Sequence, residues 1–151
     1  MTRSSARELA LGCIFEYGYS CSSTDEIISS RFEDGACVLV GEDKLFNEEV
    51  TENDRKYVED ILVEYDKNRN EINGIISQLS VDWDISRISR MSMAILSLAI
   101  TEIKCRDDVP LSVAINEAVS LAKKYDSEKA PAFINGILGS YSKTLTNAEA
   151  E

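Results

Sequence analysis

The sequence contains no histidine in 151 residues, which removes the commonest general base and a usual zinc ligand. Its four cysteines, Cys13, Cys21, Cys37 and Cys105, are too far apart in the sequence to form a CxxC pair and are interpreted as ordinary thiols. No GxGxxG or GxxxxGK pattern is present to hold a phosphate. We therefore expect a protein that is not an enzyme and that has no catalytic residues, metal site or cofactor.

Long hydrophobic runs are also missing. No window reaches the roughly 18 uninterrupted apolar residues that a membrane span requires, and the first residues lack the apolar core of a signal peptide. We therefore expect a cytoplasmic protein without a membrane partner. With 44% hydrophobic residues, the chain is long enough to bury one core, so we predict a single domain over residues 1–145 and a frayed tail over 146–151.

Positive charge is scarce, because 16 basic residues face 27 acidic ones and leave a formal net charge of -11. Non-specific affinity for nucleic acids depends on Lys and Arg that neutralise phosphates, so this chain is a poor general RNA binder. Any RNA binding must be local or shared with a basic partner. Net charge alone does not distinguish such an RNA binder from an acidic scaffold that docks on a basic protein.

Apolar residues recur at steps of three and four along most of the chain, as expected for amphipathic helices. The pattern predicts helices over 4–19, 24–32, 51–79 and 85–104, one that starts at Pro110 and runs to about 125, and one from 127 or 128 onward. The helix over 85–104 is apolar around much of its circumference and should be buried. The segment between Gly35 and Gly41 is either a short strand or a loop. About seven helical elements predict an all-α bundle.

Polar residues next to these helices mostly have routine explanations. Asp82, Asp84, Asp107 and Asp108 precede helices, where a carboxylate commonly caps the first turn. Trp83 is interpreted as a plug at a tight connection. Asn116 and the Asn135-Gly136 pair stand inside helices and are unexplained, because Asn competes for backbone hydrogen bonds and Gly weakens a helix by about 1 kcal/mol relative to Ala.

Two groups of basic residues are candidates for RNA contacts. Arg3 and Arg7 are four residues apart on one helical face, where they form either a solvated face or a phosphate clamp. Lys123, Lys124 and Lys129 surround the connection between the last two helices, beside Tyr125 and Phe133. Basic groups mixed with aromatic rings can bind single-stranded RNA, but the same rings can equally belong to the core.

Several motifs together resemble those of the NusB transcription antitermination factor family. They are Ala6-Arg7-Glu8-Leu9-Ala10-Leu11, Ala99-Ile100-Thr101-Glu102-Ile103, Asp108-Val109-Pro110, Val113-Ala114-Ile115-Asn116-Glu117-Ala118-Val119, Leu121-Ala122-Lys123-Lys124-Tyr125 and Phe133-Ile134-Asn135-Gly136-Ile137-Leu138. Their order and spacing match those of the family, and together they cover both ends of the chain, while residues 33–50 are unmatched.

The resemblance implies an all-helical fold of two packed subdomains and a non-catalytic role. Members of the family pair with the ribosomal protein NusE and bind boxA RNA in nascent ribosomal RNA transcripts, in contact with the transcription elongation complex. The implied RNA-binding residues are Arg3, Arg7, Lys123, Tyr125, Lys129 and Phe133. The implied NusE-binding residues are Phe15, Tyr19 and Ser92.

This sequence departs from the family pattern at two of the NusE positions. Phe15 stands where many members have Tyr, and Ser92 stands where an acidic residue is common. The basic N-terminus is also thin. An alternative is therefore a protein-interaction module of the same fold with weak or lost RNA binding. The family's domain also occurs fused to RNA cytosine methyltransferases, but this chain has no methyl-donor site. Monomer and homodimer remain open.

Overall fold

The computed structural model describes residues 2–19, 51–81, 83 and 88–150, with side chains left aside at 17–19 and 147–150. This part of the chain contains six α-helices and no strand, which confirms the predicted all-α class. The helices are α1 (Arg3–Tyr19), α2 (Glu52–Lys67), α3 (Arg69–Leu79), α4 (Arg90–Cys105), α5 (Leu111–Tyr125) and α6 (Ala130–Ala150). None of these helices is long and apolar enough to cross a membrane.

Four sequence predictions lie outside the described residues. They are the helix over 24–32, the segment from Gly35 to Gly41, the thiols Cys21 and Cys37, and the caps Asp82 and Asp84.

The chain divides into two compact units, residues 1–67 and 68–151. In the first unit α1 packs against α2 through the apolar face that the spacing predicts. The core of this unit includes Leu9, Leu11, Tyr57, Ile61 and Leu62, each exposing 2% of its surface or less.

A reciprocal cap starts α2. The Asp54 backbone N–H donates to Thr51 Oγ1 at 3.2 Å, and the Thr51 backbone N–H donates to Asp54 Oδ2 at 2.9 Å. The Thr51 hydroxyl also donates to Asp54 Oδ2 at 2.9 Å. Burial alone would raise the pKa of Asp54, but these hydrogen bonds hold the pKa below its ordinary value. The cap therefore favours the ionised carboxylate.

The prediction of one long helix over 51–79 is wrong, because the helix is interrupted at Asn68 between α2 and α3. Asn68 has φ -105° and ψ 12°, and its backbone carbonyl still accepts the Ile72 N–H at 2.9 Å. The run from Lys67 to Asn70 contains no apolar side chain that would be buried by continuing the helix, and Asn is a weak helix former. The two compact units meet in the sequence at this interruption.

In the second unit α4 is the central helix, as its composition predicts, and it packs on α3, α5 and α6. Its residues 94–102 are all buried, including polar ones. The Ser97 hydroxyl donates to the Met93 carbonyl at 2.8 Å, and the Thr101 hydroxyl donates to the Ser97 carbonyl at 2.7 Å. These bonds to the preceding turn satisfy hydroxyls that would otherwise be costly to bury.

The start of α4 differs from the predicted residue 85. Ile88 and Ser89 are not helical, and Ser89 is the N-cap, whose hydroxyl oxygen accepts the Ser92 N–H at 2.9 Å. The α6 helix likewise begins at Ala130 rather than at 127 or 128, and its backbone stays helical to Ala150. The predicted α5 ends as expected at Tyr125, with Lys123 and Lys124 in its last turn.

Candidate nucleic-acid interface

The end of α5 together with its connection to α6, residues 123–129, is called here the α5–α6 junction. Lys123, Lys124 and Lys129 are exposed, and Tyr125 is half-buried between them in the sequence. The Lys124 ammonium lies 5.3 Å from the centre of the Tyr125 ring, within the range of a cation–π contact. The junction thus presents three cations to solvent, together with two acidic residues, Asp126 and Glu128, in a chain that is acidic overall.

Asp126 fixes the shape of this junction. It is the C-cap of α5, where its backbone N–H donates to the Ala122 carbonyl at 3.0 Å. Its side-chain Oδ1 accepts the Ser127 N–H at 2.8 Å. Its other oxygen, Oδ2, accepts hydroxyl hydrogen bonds from Ser89, at 2.8 Å, and from Ser92. One carboxylate therefore ties the α5–α6 junction to the start of α4.

Ser92, an expected NusE contact, is thus engaged within its own unit. It exposes 3% of its surface, its backbone N–H is held by Ser89, and its hydroxyl is held by Asp126. The Ser92 hydroxyl therefore donates its proton within its own unit and is almost fully buried.

Phe133 lies on α6 and exposes 7% of its surface, so in this structure it belongs to the core edge. Trp83 contacts it edge-on, with ring centres 4.9 Å apart and planes at 75°. Trp83 itself exposes 43% of its surface, so its interpretation as a plug is wrong. We call Trp83 and Phe133 the aromatic pair.

Gly136 lies next to the aromatic pair. A Cβ atom at this position would lie 3.5 Å from Trp83 Cζ2, which is ordinary van der Waals contact. Gly136, which the sequence did not explain, is thus the position at which the Trp83 ring approaches α6. Asn116 and Asn135 are both exposed.

The basic residues near the chain start lie in the first unit. The Arg3 guanidinium carbon lies 4.2 Å from the centre of the Tyr57 ring, and Arg3 is exposed. Arg7 exposes only 5% of its surface, so the expectation of a solvated face is wrong for this residue. Phe15 is half-buried on α1, and the Tyr19 side chain is outside the described part.

Two features of the site were not found from the sequence: the exposed ring of Trp83 and the bridging role of Asp126. Asp126 had no distinguishing pattern in the sequence, because its partners are 34 and 37 residues away. Trp83 had one signal, since it is the single tryptophan of the chain and stands between two polar residues.

A family model described as the NusB family matches residues 4–143. The transcription antitermination protein NusB of Acetivibrio thermocellus is 42% identical over 139 residues, which are 92% of this chain and 87% of that protein. NusB of Ruminiclostridium cellulolyticum is 36% identical over 95% of this chain and 90% of that protein.

Solved structures agree on the fold. T. maritima NusB has a TM-score of 0.79 at 22% identity, covering 95% of this chain and 92% of that one. The complex of the antitermination factors NusB and NusE with dsRNA gives 0.73 at 21% identity, covering 94% and 96%. The fold and site thus define an all-helical protein with a local basic junction. The chain belongs to the NusB family of transcription antitermination proteins.

Proposed function

We propose that this protein is a non-enzymatic antitermination factor that pairs with NusE and binds boxA RNA in nascent ribosomal RNA transcripts. The observation that carries the proposal is the α5–α6 junction, which combines exposed lysines with the half-buried ring of Tyr125 in a chain of net charge -11. Family membership supports it, as does the NusB–NusE–RNA complex found among proteins of the same fold.

The net charge explains why a partner is needed. RNA affinity grows with the number of phosphates that a protein neutralises, and an acidic chain repels RNA everywhere except near its local cations. A basic partner such as a ribosomal protein would supply additional positive charge. The pair is therefore expected to bind RNA more tightly than the isolated chain, at the elongation complex in the cytoplasm.

Burial divides the expected RNA residues into two groups. Arg3, Lys123 and Lys129 are exposed, and Tyr125 is half-buried, so these side chains are proposed as direct contacts. Arg7 and Phe133 expose 5% and 7% of their surfaces and are proposed to support the contact surface from beneath. Phe15, Tyr19 and Ser92 stay proposed as NusE contacts, with Ser92 acting through the helix start that it holds.

The test is a titration of fluorescently labelled boxA RNA with the NusE complex of the wild type and of Lys129→Ala. Each lost phosphate contact should reduce the slope of log affinity against log salt concentration by about 0.7 to 0.9. The matched control is Lys56→Ala, because Lys56 is equally exposed but lies on α2, outside the proposed site.

Equal affinities and salt slopes for wild type, Lys129→Ala and Lys56→Ala would show that the α5–α6 junction does not contact the RNA. Complete absence of RNA binding, with NusE still bound, would instead favour an interaction module of this fold, which the acidic surface would suit.

A further inference from the structure

We infer that Trp83 is a base-stacking residue of this protein, whose exposed ring face receives an unpaired nucleobase of single-stranded RNA. The inference deepens the proposed function and depends on it. Trp83 was not among the residues expected to contact RNA.

The Trp83 side chain is exposed to solvent. Of the aromatic side chains that the structure describes, Trp83 alone is classed as exposed, with 43% of its surface accessible. Tyr57, Tyr65, Phe133 and Tyr141 expose 7% or less. A single exposed apolar residue is ordinary on a protein surface, so its position has to decide its role.

Contacts with α6 and a backbone hydrogen bond orient the Trp83 ring. Phe133 contacts the Trp83 ring at 75°, and Gly136 leaves α6 without a side chain where Trp83 Cζ2 approaches. The Trp83 backbone N–H also donates to the Ser80 carbonyl at 2.9 Å, which places the residue in a tight turn. A ring that is already ordered loses little conformational entropy when a base stacks on it.

Two lysines near the ring in the fold support the same role, although Asp82 and Asp84 adjoin Trp83 in the sequence. Lys129, Gly136 and Lys143 are spaced seven residues apart, and a spacing of seven keeps residues on nearly the same helical face. The Phe133 N–H donates to the Lys129 carbonyl at 3.3 Å, so Lys129 continues the helical pattern of α6. At about 1.5 Å per residue, the two lysines lie about 10 Å along the axis on either side of Gly136. Both are exposed.

This arrangement fits one occupant best. An exposed aromatic ring with lysines on either side of it along a helix can bind a base through the ring and the phosphates of a single strand through the lysines. An apolar protein segment would have no use for the two cations. A duplex would use the cations but would keep its bases stacked on each other.

The single tryptophan allows a direct test, because all intrinsic tryptophan fluorescence of the chain comes from Trp83. Unlabelled single-stranded boxA RNA is titrated into the complex with NusE, and the same titration of a Trp83→Leu complex is subtracted as background. We expect saturable quenching by the single strand, and much weaker quenching by a duplex of the same sequence at equal occupancy.

Affinity for labelled single-stranded RNA is measured in parallel. Stacking of one base contributes about 1–3 kcal/mol, so Trp83→Leu should weaken binding about 5- to 150-fold, while Trp83→Phe keeps a ring and loses less. The control Val113→Ala removes another exposed apolar side chain and should leave affinity unchanged. Urea denaturation of each variant separates lost binding from lost folding.

RNA binding that leaves both the Trp83 fluorescence and the affinity of Trp83→Leu unchanged would overturn this inference and leave the proposed function intact. Fluorescence that responds to NusE alone, with RNA adding no further change, would assign the ring to the protein partner and also overturn it. Absence of any RNA binding would overturn the proposed function, and this inference with it.

Discussion

Replacing Asp126 with alanine removes the carboxylate that ties the end of α5 to the start of α4. In the folded protein this group accepts the hydroxyls of Ser89 and Ser92 on one oxygen and the Ser127 N–H on the other. The variant leaves the Ser92 hydroxyl, on a residue that exposes 3% of its surface, without its carboxylate acceptor. The second unit should therefore lose stability.

The size of the loss follows from burial. A hydrogen bond to a charged group contributes about 1.5–3 kcal/mol, and the bond from buried Ser92 should fall in this range. Ser89 is exposed, so its hydroxyl can exchange the carboxylate for water and should contribute about 0.5 kcal/mol. We expect Asp126→Ala to lower the free energy of unfolding by about 2–3 kcal/mol.

Urea denaturation of the single variants Ser92→Ala and Asp126→Ala and of the double variant measures the coupling between the two side chains. We expect a coupling energy of about 1–2 kcal/mol. Ser120→Ala is the control, because Ser120 is an exposed serine on α5 and should change stability by less than about 0.5 kcal/mol. A coupling near zero, or an Asp126→Ala effect as small as that of the control, would refute the role given to this carboxylate.

Three further predictions concern local stability. Thr51→Ala removes the cap of α2 and should lower the free energy of unfolding by about 1 kcal/mol at pH 7. Because the pKa of Asp54 is lowered in the folded protein, part of the stabilisation by the cap is lost as pH falls through that pKa. Thermal denaturation near pH 3 should therefore show a smaller difference between the variant and the wild type. Gly74→Ala should stabilise the protein by about 0.5–1 kcal/mol in urea denaturation, because a Cβ there meets nothing within 4 Å inside α3, and a destabilised variant would contradict this. Burial, together with the charges of Glu71 and Cys105, raises the pKa of Tyr141, so the neutral phenol stabilises the folded state at neutral pH and this contribution is lost as pH rises past the ordinary tyrosine pKa. The free energy of unfolding should therefore fall less for Tyr141→Phe than for wild type above about pH 10. Parallel pH profiles of the two proteins would contradict this prediction.

Helix class and most helix positions were predictable because apolar spacing alone determines which face is buried. The helices α1 and α5 follow their predicted bounds closely. The interruption at Asn68 was not predictable in this way, since Tyr65 and Ile72 are seven residues apart and keep the same phase across it. The start of α4 was missed because Ile85 and Ile88 extend the apolar pattern, whereas the cap at Ser89 decides the first helical residue.

The site was predictable only where exposure follows from local sequence. The lysines of the α5–α6 junction are exposed, as their position at a helix end suggests. The state of Phe133 was undecided because a stacking ring and a core ring have the same local sequence. Phe133 is buried and contacts the exposed ring of Trp83, which is 50 positions away in the sequence. The spacing of apolar residues does not predict a contact over such a distance.

The most direct test of the central claim is the affinity of this chain for labelled boxA RNA, measured alone and with NusE at about 50 and 200 mM salt. We expect weak binding by the chain alone, tighter binding by the pair, and a loss of affinity with salt that reports the phosphate contacts. Absence of salt-sensitive RNA binding in both cases would contradict it.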